Sequence, residues 1–333
     1  MVNTATALAH PNIALIKYWG KRDAALNLPA VGSISITLDH IHTRTRVQFD
    51  PALKQDVLQL NGRAEADELK KVSACLDLLR KKAGVSLCAR IDSQNNFPTA
   101  AGLASSASGF AALVVAGAEG LQLRLSPGEL SAHARQGSGS AARSIFGGYA
   151  EWARGEKTDG SDSIAKPLLD AAAWPLAVAI AVTSTEAKAI GSTEGMNRSA
   201  QTSPYQSAWE SSQEADLAAA RAAIGQRDFE ALAAVSEHSC LKMHALALAA
   251  NPGLIYWNGA TVEGMRCVRA LRAEGLPVFF TVDAGPQLKA ICLPQALPRV
   301  SAALREIPGV QKVIETGLGE GARLVDDRVK VAA

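Results

Sequence analysis

The sequence has few aromatic residues, little net charge and no long hydrophobic run. Phe, Trp and Tyr make up 5% of its 333 residues, and the formal net charge is +2 at pH 7. Nucleic-acid binding is disfavoured, because it depends on a basic surface and on aromatic side chains that stack on bases. The longest apolar runs, such as 175–182, fall well short of the roughly 20 residues that cross a bilayer. We therefore expect neither nucleic acid nor a membrane as a partner.

Paired cysteines are also lacking. The five cysteines are scattered and form no C-x-x-C motif, which favours reduced thiols over a disulfide framework. Cys240 and His244 have the spacing of two metal ligands on one helix face, but no second pair accompanies them, so packing is favoured over zinc. The amino terminus has no basic segment followed by an apolar core, the pattern of a secretion signal. We expect a cytoplasmic protein.

The sequence does contain three clusters of small residues. The segment "PTAAGLASSASG" (98–109) leads directly into an apolar helical stretch, and "QGSGSAARS" (136–144) and "GSTEGM" (191–196) follow it. Such loops offer hydroxyls and backbone N–H groups to an anion, and a helix that begins there adds partial positive charge. None is a Walker A loop or a G-x-G-x-x-G fingerprint, and any single cluster could be an ordinary turn. All three together, with Arg143 beside the second, indicate a phosphate site.

Strand-like and helix-like segments alternate along the chain and predict an α+β protein with two lobes. The apolar run at 173–185 begins the second half. In the first half, 33–38 and 43–49 alternate well enough to predict a β-hairpin. A helix is predicted over 67–84, with a glycine at its end. Another is predicted to begin at Pro127, with Ser126 as its N-cap.

Two charged residues lie in apolar surroundings. Lys17 follows an apolar segment that begins at Asn12, and Asp283 lies between an apolar strand and a Gly-Pro turn. Lys17 could lie at a solvated strand edge, and Asp283 could simply cap or turn the chain. Alternatively, both could line a cleft, with Asp283 as a catalytic carboxylate at a strand end.

Several segments together resemble the diphosphomevalonate decarboxylases of the GHMP kinase superfamily. In chain order they are HPNIALIKYWGKRDAALNLPAVGSISITL, NNFPTAAGLASSASGFAAL, RQGSGSAARSIFGGYAEW, AIGSTEGM, LKMHALALAANPGLIYWN and TVDAGP. The resemblance implies the GHMP kinase fold, in which two lobes of mixed or antiparallel sheet pack with helices around a deep active-site cleft. It also implies an N-terminal domain over 1–182, similar to ribosomal protein S5 domain 2 and carrying the phosphate-binding loop, and a ferredoxin-like C-terminal domain over 183–333.

The activity implied by the resemblance is ATP-dependent decarboxylation of mevalonate 5-diphosphate to isopentenyl diphosphate, a step of isoprenoid biosynthesis. ADP, phosphate and carbon dioxide are released, Mg²⁺ is required, and members are commonly homodimers. Three alternatives stay open: a decarboxylase that acts on mevalonate 5-phosphate, a kinase that stops at the 3-phosphate, and an inactive homologue that serves as a binding module.

The resemblance also implies roles for individual residues. In the catalytic group, Asp283 lies beside the substrate's 3-hydroxyl, Lys17 faces Asp283, Arg143 holds the substrate carboxylate, and Asn12 lies near the reacting end. The residues that bind the substrate's diphosphate and other oxygens are Tyr18, Lys21, Ser138, Ser140 and Ser192. Those that bind ATP are Ala101, Gly102, Leu103, Ser105 and Ser106, with Ser106 also the expected metal ligand.

Three departures from the family pattern stand out. Gln287 occurs where an Asn is expected, and Gly191 where a Ser is expected. A basic residue that reaches the diphosphate from the helix after "LNG" has no clear match, and Lys70 and Lys71 are the candidates. The first two departures could adjust contacts without abolishing them. The missing basic residue bears on the choice between the diphosphate and the monophosphate, whereas Lys17, Arg143 and Asp283 all support decarboxylation.

Overall fold

The secondary structure is described here from a computed structural model over residues 3–97, 105–186 and 189–326. In these ranges the strands are β1 (Asn3–Ala9), β2 (Asn12–Ile16), β3 (Lys21–Asp23), β4 (Leu28–Pro29), β5 (Ser33–Thr37), β6 (Thr43–Phe49), β7 (Val57–Leu60), β8 (Arg63–Ala64), β9 (Ala89–Asn95), β10 (Tyr149–Trp152), β11 (Ala165–Leu169), β12 (Ala177–Val182), β13 (Val278–Val282), β14 (Leu288–Cys292), β15 (Lys312–Gly317) and β16 (Arg323–Leu324). The α-helices are α1 (Ala66–Ala83), α2 (Ser105–Gly120), α3 (Pro127–Gly137), α4 (Ala141–Ser144), α5 (Ser192–Thr202), α6 (Gln206–Gln226), α7 (Phe229–Leu248), α8 (Gly259–Ala273) and α9 (Leu297–Arg305).

The first lobe contains a six-stranded sheet in the order β16-β1-β6-β9-β7-β8. Its strands pair antiparallel except for β7 with β9. Helices α1 and α2 cover this sheet and α3 packs against both helices, and side chains such as Phe49, Leu76 and Phe110 form the core between the sheet and the helices. A second sheet has the order β11-β10-β5-β2, and side chains from β2, β5 and β10 pack in a core with the second lobe.

The second lobe is built on the sheet β13-β14-β12-β15. One face of β12, with Val178 and Ile180, packs in a core shared with β2, β5, β10, α6 and α7. The opposite face, with Ala179 and Ala181, packs against α8 and α9. Burial on both faces explains why β12 is continuously apolar rather than alternating.

Local signals in the sequence predicted the helix ends well. Helix α1 ends before Gly84, which has a φ of 70°, a conformation that glycine adopts without strain. Helix α3 begins at Pro127 after a capping box in which the Ser126 side chain accepts from the Glu129 N–H. The predicted α+β class is confirmed. Among the described residues, no helix has both the length and the apolar character needed to cross a bilayer.

The predicted hairpin between 33–38 and 43–49 is wrong. Both segments are strands, but β5 pairs with β2 and β10, whereas β6 pairs with β1 and β9 in the other sheet. Alternation tells which residues share a face, but it does not identify the partner strand. The division after residue 182 stays a prediction; β12 (Ala177–Val182) pairs with β14 and β15, and β16 returns to pair with β1.

Candidate active site

A cavity of about 500 Å³ lies where the ends of β2 and β13 meet the first turns of α2 and α5 and the α3–α4 turn. It is lined by every described residue to which the family resemblance assigned a role: Asn12, Lys17, Tyr18, Lys21, Ser105, Ser106, Ser138, Ser140, Arg143, Ser192 and Asp283. Ala101, Gly102 and Leu103 lie outside the described residues. Residues far apart in the sequence therefore converge on one cavity. They do not lie at separate, unrelated surface positions.

Asp283 is held by ion pairs from both lobes. It follows β13 directly, and Lys17 reaches it from the segment after β2 with its Nζ 2.8 Å from Oδ1. The same Nζ donates to the Ala14 carbonyl at 2.8 Å. On the other side, the Nζ of Lys289 in β14 lies 3.1 Å from Oδ2. Lys17 is 1% exposed and Lys289 is fully buried.

These contacts determine the charge of the carboxylate. Burial alone would raise the pKa of Asp283, but the ammonium groups of Lys17 and Lys289 lower it well below its ordinary value. Asp283 is therefore ionised at neutral pH. A carboxylate in this state is a strong hydrogen-bond acceptor and a fixed negative charge, but a weak base.

Arg143 forms the second fixed charge of the cavity. Its Nε and Nη2 donate to the Asn12 Oδ1 at 3.2 and 3.0 Å, and its Nη1 donates to the Ser33 hydroxyl at 2.5 Å. Asn12 is itself fixed by donating to the Ser140 carbonyl and the Ser144 hydroxyl. Burial lowers the pKa of Arg143 to about 10, so the guanidinium stays cationic at neutral pH. Because these partners are neutral, its charge remains available to an anionic ligand.

Another part of the cavity offers hydrogen-bond donors and cations that could bind phosphate. The Tyr18 hydroxyl is buried and has no hydrogen-bond partner among the described residues, and burial raises the pKa of Tyr18, so the phenol remains a donor. A Cβ at Gly139 would lie 2.9 Å from the Tyr18 ring, so a glycine keeps this approach open. Lys21 and Lys71 also line the cavity. Of the two candidate lysines in α1, Lys71 lines the cavity and Lys70 does not; Lys71 also pairs with Glu68 at 2.8 Å.

The first turn of α2 lies beside this donor group. The Ser138 hydroxyl is 3.3 Å from that of Ser106, so the second and first small-residue clusters meet. Helix α2 is 16 residues long, and its first N–H groups carry the partial positive charge of a helix start. Among the described residues, no group of three His, Cys, Asp or Glu could hold a metal ion. A cation here would need ligand oxygens besides Ser106, as Mg²⁺ has when it binds phosphates.

An apolar cluster forms another part of the cavity lining. It is formed by Trp19, Met196, Met243 and Ala284, which pack together as one cluster. The Trp19 indole donates to the Ser199 hydroxyl at 3.1 Å, so the ring is fixed. An apolar surface beside a carboxylate suits a ligand that carries both a hydroxyl and an alkyl group.

Sequence reasoning missed Lys289. Its signal was the one that drew attention to Lys17, a lone lysine among apolar residues, but Lys289 was assigned no role from the sequence. Cys240 and His244 contact the backbone of Val282, which agrees with packing. The structure also locates two of the three departures from the family pattern. Gly191 lines the cavity, and the Gln287 side chain hydrogen-bonds the backbone of Thr183 and Ser184.

Cations and hydroxyls around a cavity, with only the carboxylates of Asp283 and Glu68 among its described lining residues, define a site for a polyanionic small molecule. Residues 9–165 match the family described as diphosphomevalonate decarboxylase-like N-terminal domain. Residues 178–325 match the mevalonate 5-diphosphate decarboxylase C-terminal domain. A diphosphomevalonate decarboxylase of Aspergillus fumigatus is 39% identical, with 98% of this chain and 96% of the relative aligned.

Solved structures agree. One concerns mevalonate diphosphate-mediated ATP binding by the mevalonate diphosphate decarboxylase from Enterococcus faecalis, with 39% identity, a TM-score of 0.90, and 98% of this chain and 100% of that chain covered. Another, MDDEF in complex with MVAPP, AMPPCP and magnesium, has 39% identity, a TM-score of 0.91 and the same coverage. This chain belongs to the diphosphomevalonate decarboxylase family, and the predicted GHMP kinase fold is confirmed.

Proposed function

We propose that the protein catalyses the ATP-dependent decarboxylation of mevalonate 5-diphosphate to isopentenyl diphosphate in the mevalonate pathway, with release of ADP, phosphate and carbon dioxide. The observation that carries the proposal is the meeting of Lys17, Asp283 and Arg143 at one cavity. Family membership supports it, and a relative in complex with MVAPP, AMPPCP and magnesium supports both the substrate and the requirement for ATP and Mg²⁺.

The chemistry explains why ATP is needed. A 3-hydroxy acid has no carbonyl group placed to accept the electron pair that decarboxylation releases. Transfer of the γ-phosphoryl group to the tertiary hydroxyl breaks the bond to the β-phosphate and releases ADP, the hydroxyl proton passes to an oxygen of the transferred phosphoryl group, and the resulting phosphate ester is a good leaving group. Phosphate then departs with the C–O electron pair, the carboxylate's C–C bond supplies the electrons of the new double bond, and carbon dioxide leaves.

Asp283 is proposed to orient the substrate hydroxyl. Its ionised carboxylate accepts a hydrogen bond from that hydroxyl and directs the oxygen toward the phosphoryl donor. The low pKa caused by Lys17 and Lys289 makes full proton capture by this carboxylate unfavourable. Asp283 therefore contributes mainly through orientation, and through its negative charge when positive charge develops at the tertiary carbon.

Arg143 is proposed to hold the substrate carboxylate. Asn12 fixes two of its guanidinium nitrogens, so the arginine is in place before the substrate binds. This fixes the direction of the C–C bond that breaks, a positioning effect. Ser192, at the first residue of α5, is proposed to bind a substrate oxygen beside it.

The phosphates are proposed to occupy the other end of the cavity. Tyr18, Lys21, Ser138 and Ser140 would bind the substrate's diphosphate together with Lys71. Ser105 and Ser106 would bind the triphosphate of ATP, and the same role for Ala101, Gly102 and Leu103 stays a prediction. The Ser106 hydroxyl would hold Mg²⁺, which supplies neutralisation of phosphate charge when it is bound.

The decisive experiment measures ADP and carbon dioxide together. The enzyme is supplied with ATP and, in parallel, mevalonate, its 5-phosphate or its 5-diphosphate. We expect equal amounts of ADP and carbon dioxide with the 5-diphosphate. ADP without carbon dioxide would instead identify a 3-kinase, a preference for the 5-phosphate would identify the monophosphate decarboxylase, and no ADP with any of them would identify a binding module.

Two further predictions concern the assembly and its compartment. From the family resemblance we propose a homodimer, which light scattering on the purified protein would test. From the unpaired cysteines we propose a cytoplasmic location, which fractionation of the source cells would test.

A further inference from the structure

Lys289 occupies an unusual place for a lysine. It lies in β14, an inner strand of its sheet, where it pairs with Ile180 of β12 and Thr281 of β13. Its side chain is fully buried, and its Nζ lies 3.1 Å from the Asp283 Oδ2. Since Lys17 faces Oδ1, each oxygen of the carboxylate faces its own ammonium group.

Stability alone does not account for a buried lysine at this position. Burial lowers the pKa of Lys289, which disfavours the charged ammonium, and the charge of Asp283 opposes this effect. An apolar side chain of similar volume in place of a buried ion-pair member is often as stable or more so. The neighbours of Lys289 in β14 are apolar, and the strand is buried throughout. The positive charge of Lys289 is therefore best explained by its ion pair with Asp283.

The other groups that face Asp283 cannot replace this charge. From α7, burial lowers the pKa of His244 to about 4 and raises that of the Cys240 thiol, so both are neutral at neutral pH. From α4, the Arg143 guanidinium interacts with Asp283 electrostatically, but its hydrogen bonds go to Asn12 and Ser33, so it does not hold either carboxylate oxygen. Lys17 divides its ammonium group between Asp283 and the Ala14 carbonyl.

We propose that Lys289 is a positioning residue of this reaction, which acts through Asp283 by fixing its second carboxylate oxygen and its negative charge. Because Lys289 holds Oδ2, the carboxylate group cannot rotate freely, and Oδ1, which Lys17 contacts, keeps one orientation. The kinetic consequence rests on the proposed function, whereas the electrostatic consequence does not.

The test measures the ionisation of Asp283 directly. Protein labelled with ¹³C at the aspartate carboxyl carbon is titrated by NMR, with the Asp283 signal assigned by its loss in Asp283→Asn. We expect the pKa of Asp283 to rise by about one unit or more in Lys289→Met, because one of two adjacent cations is removed. Lys242→Met is the matched control, since Lys242 is a largely buried lysine that pairs with Asp216 instead; it should leave the Asp283 titration unchanged.

The kinetic readout uses the same variants. In Lys289→Met the acidic limb of the kcat profile should move to higher pH while KM changes less than kcat. An unchanged Asp283 pKa would overturn the proposal, whatever substrate the enzyme uses. If Lys289→Met does not fold, Lys289→Gln decides: a raised pKa supports the role of charge, and a wild-type pKa overturns it. Absence of turnover with every mevalonate derivative, alongside a raised Asp283 pKa, would refute the proposed function alone.

Discussion

The two ends of the cavity are built differently. At the reacting end, Lys17, Lys289 and Arg143 are almost fully buried and fixed by ion pairs or hydrogen bonds to neutral oxygens. At the phosphate end, Ser106 is exposed and Lys71 is largely exposed, with its ion pair formed at the surface. A reacting centre has to be arranged before the substrate arrives, whereas phosphates carry enough charge to bind to side chains that adjust around them.

The largest effect is expected for Asp283→Asn, at the reacting end. The amide has nearly the same size but lacks the negative charge, so kcat should fall by about 10³-fold or more. Parallel measurements of ADP and carbon dioxide with mevalonate 5-diphosphate check this. The variant also leaves Lys17 and Lys289 without their counter-ion, so the thermal midpoint has to be measured beside kcat. Activity within tenfold of wild type in a folded variant would contradict the proposed role.

A smaller loss is expected for Arg143→Lys. The substitution keeps the positive charge, but an ammonium group cannot donate to Asn12 and to a carboxylate with the geometry of a guanidinium. We expect kcat/KM to fall by about 10²-fold, with most of the change in kcat if the arginine fixes the breaking bond. A change confined to KM would instead assign Arg143 to binding alone.

The comparison also shows what the sequence could predict. Helix ends depend on neighbouring residues, so Gly84 and Ser126 were identified from local pattern alone. Strand partners depend on distant parts of the chain, so the hairpin prediction for 33–49 failed. At the site, the family motifs identified Asp283 and Arg143. Lys289 was missed, because no local pattern distinguishes a lysine that meets a carboxylate from one at a strand edge.

The phosphate end should respond in binding rather than in turnover. Lys71→Met removes one cation near the proposed diphosphate position, and we expect KM for mevalonate 5-diphosphate to rise about tenfold with little change in kcat. Lys70→Met is the matched control, since that neighbouring lysine is exposed on α1 and does not line the cavity. Equal effects of the two substitutions would show that only general surface charge is involved.

The smallest expected effect is on the free energy of unfolding at acid pH. It compares Asp283, a carboxylate held by two buried lysines, with Glu68, a carboxylate at the surface. Because the folded protein has a lowered Asp283 pKa, the ionised carboxylate contributes stability that is complete above the pKa of the unfolded chain and is lost as pH falls through the folded pKa. The difference in free energy of unfolding between wild type and Asp283→Asn should therefore narrow by about 1 kcal/mol from about pH 4 to about pH 3. Urea unfolding of wild type and Asp283→Asn at both pH values measures this change.

Glu68→Gln is the matched control at the surface. Its difference from wild type in free energy of unfolding should change much less between the two pH values, because the ion pair of Glu68 with Lys71 is exposed to solvent. Equal narrowing in the two variants would mean that the reacting end is no more fixed electrostatically than the phosphate end.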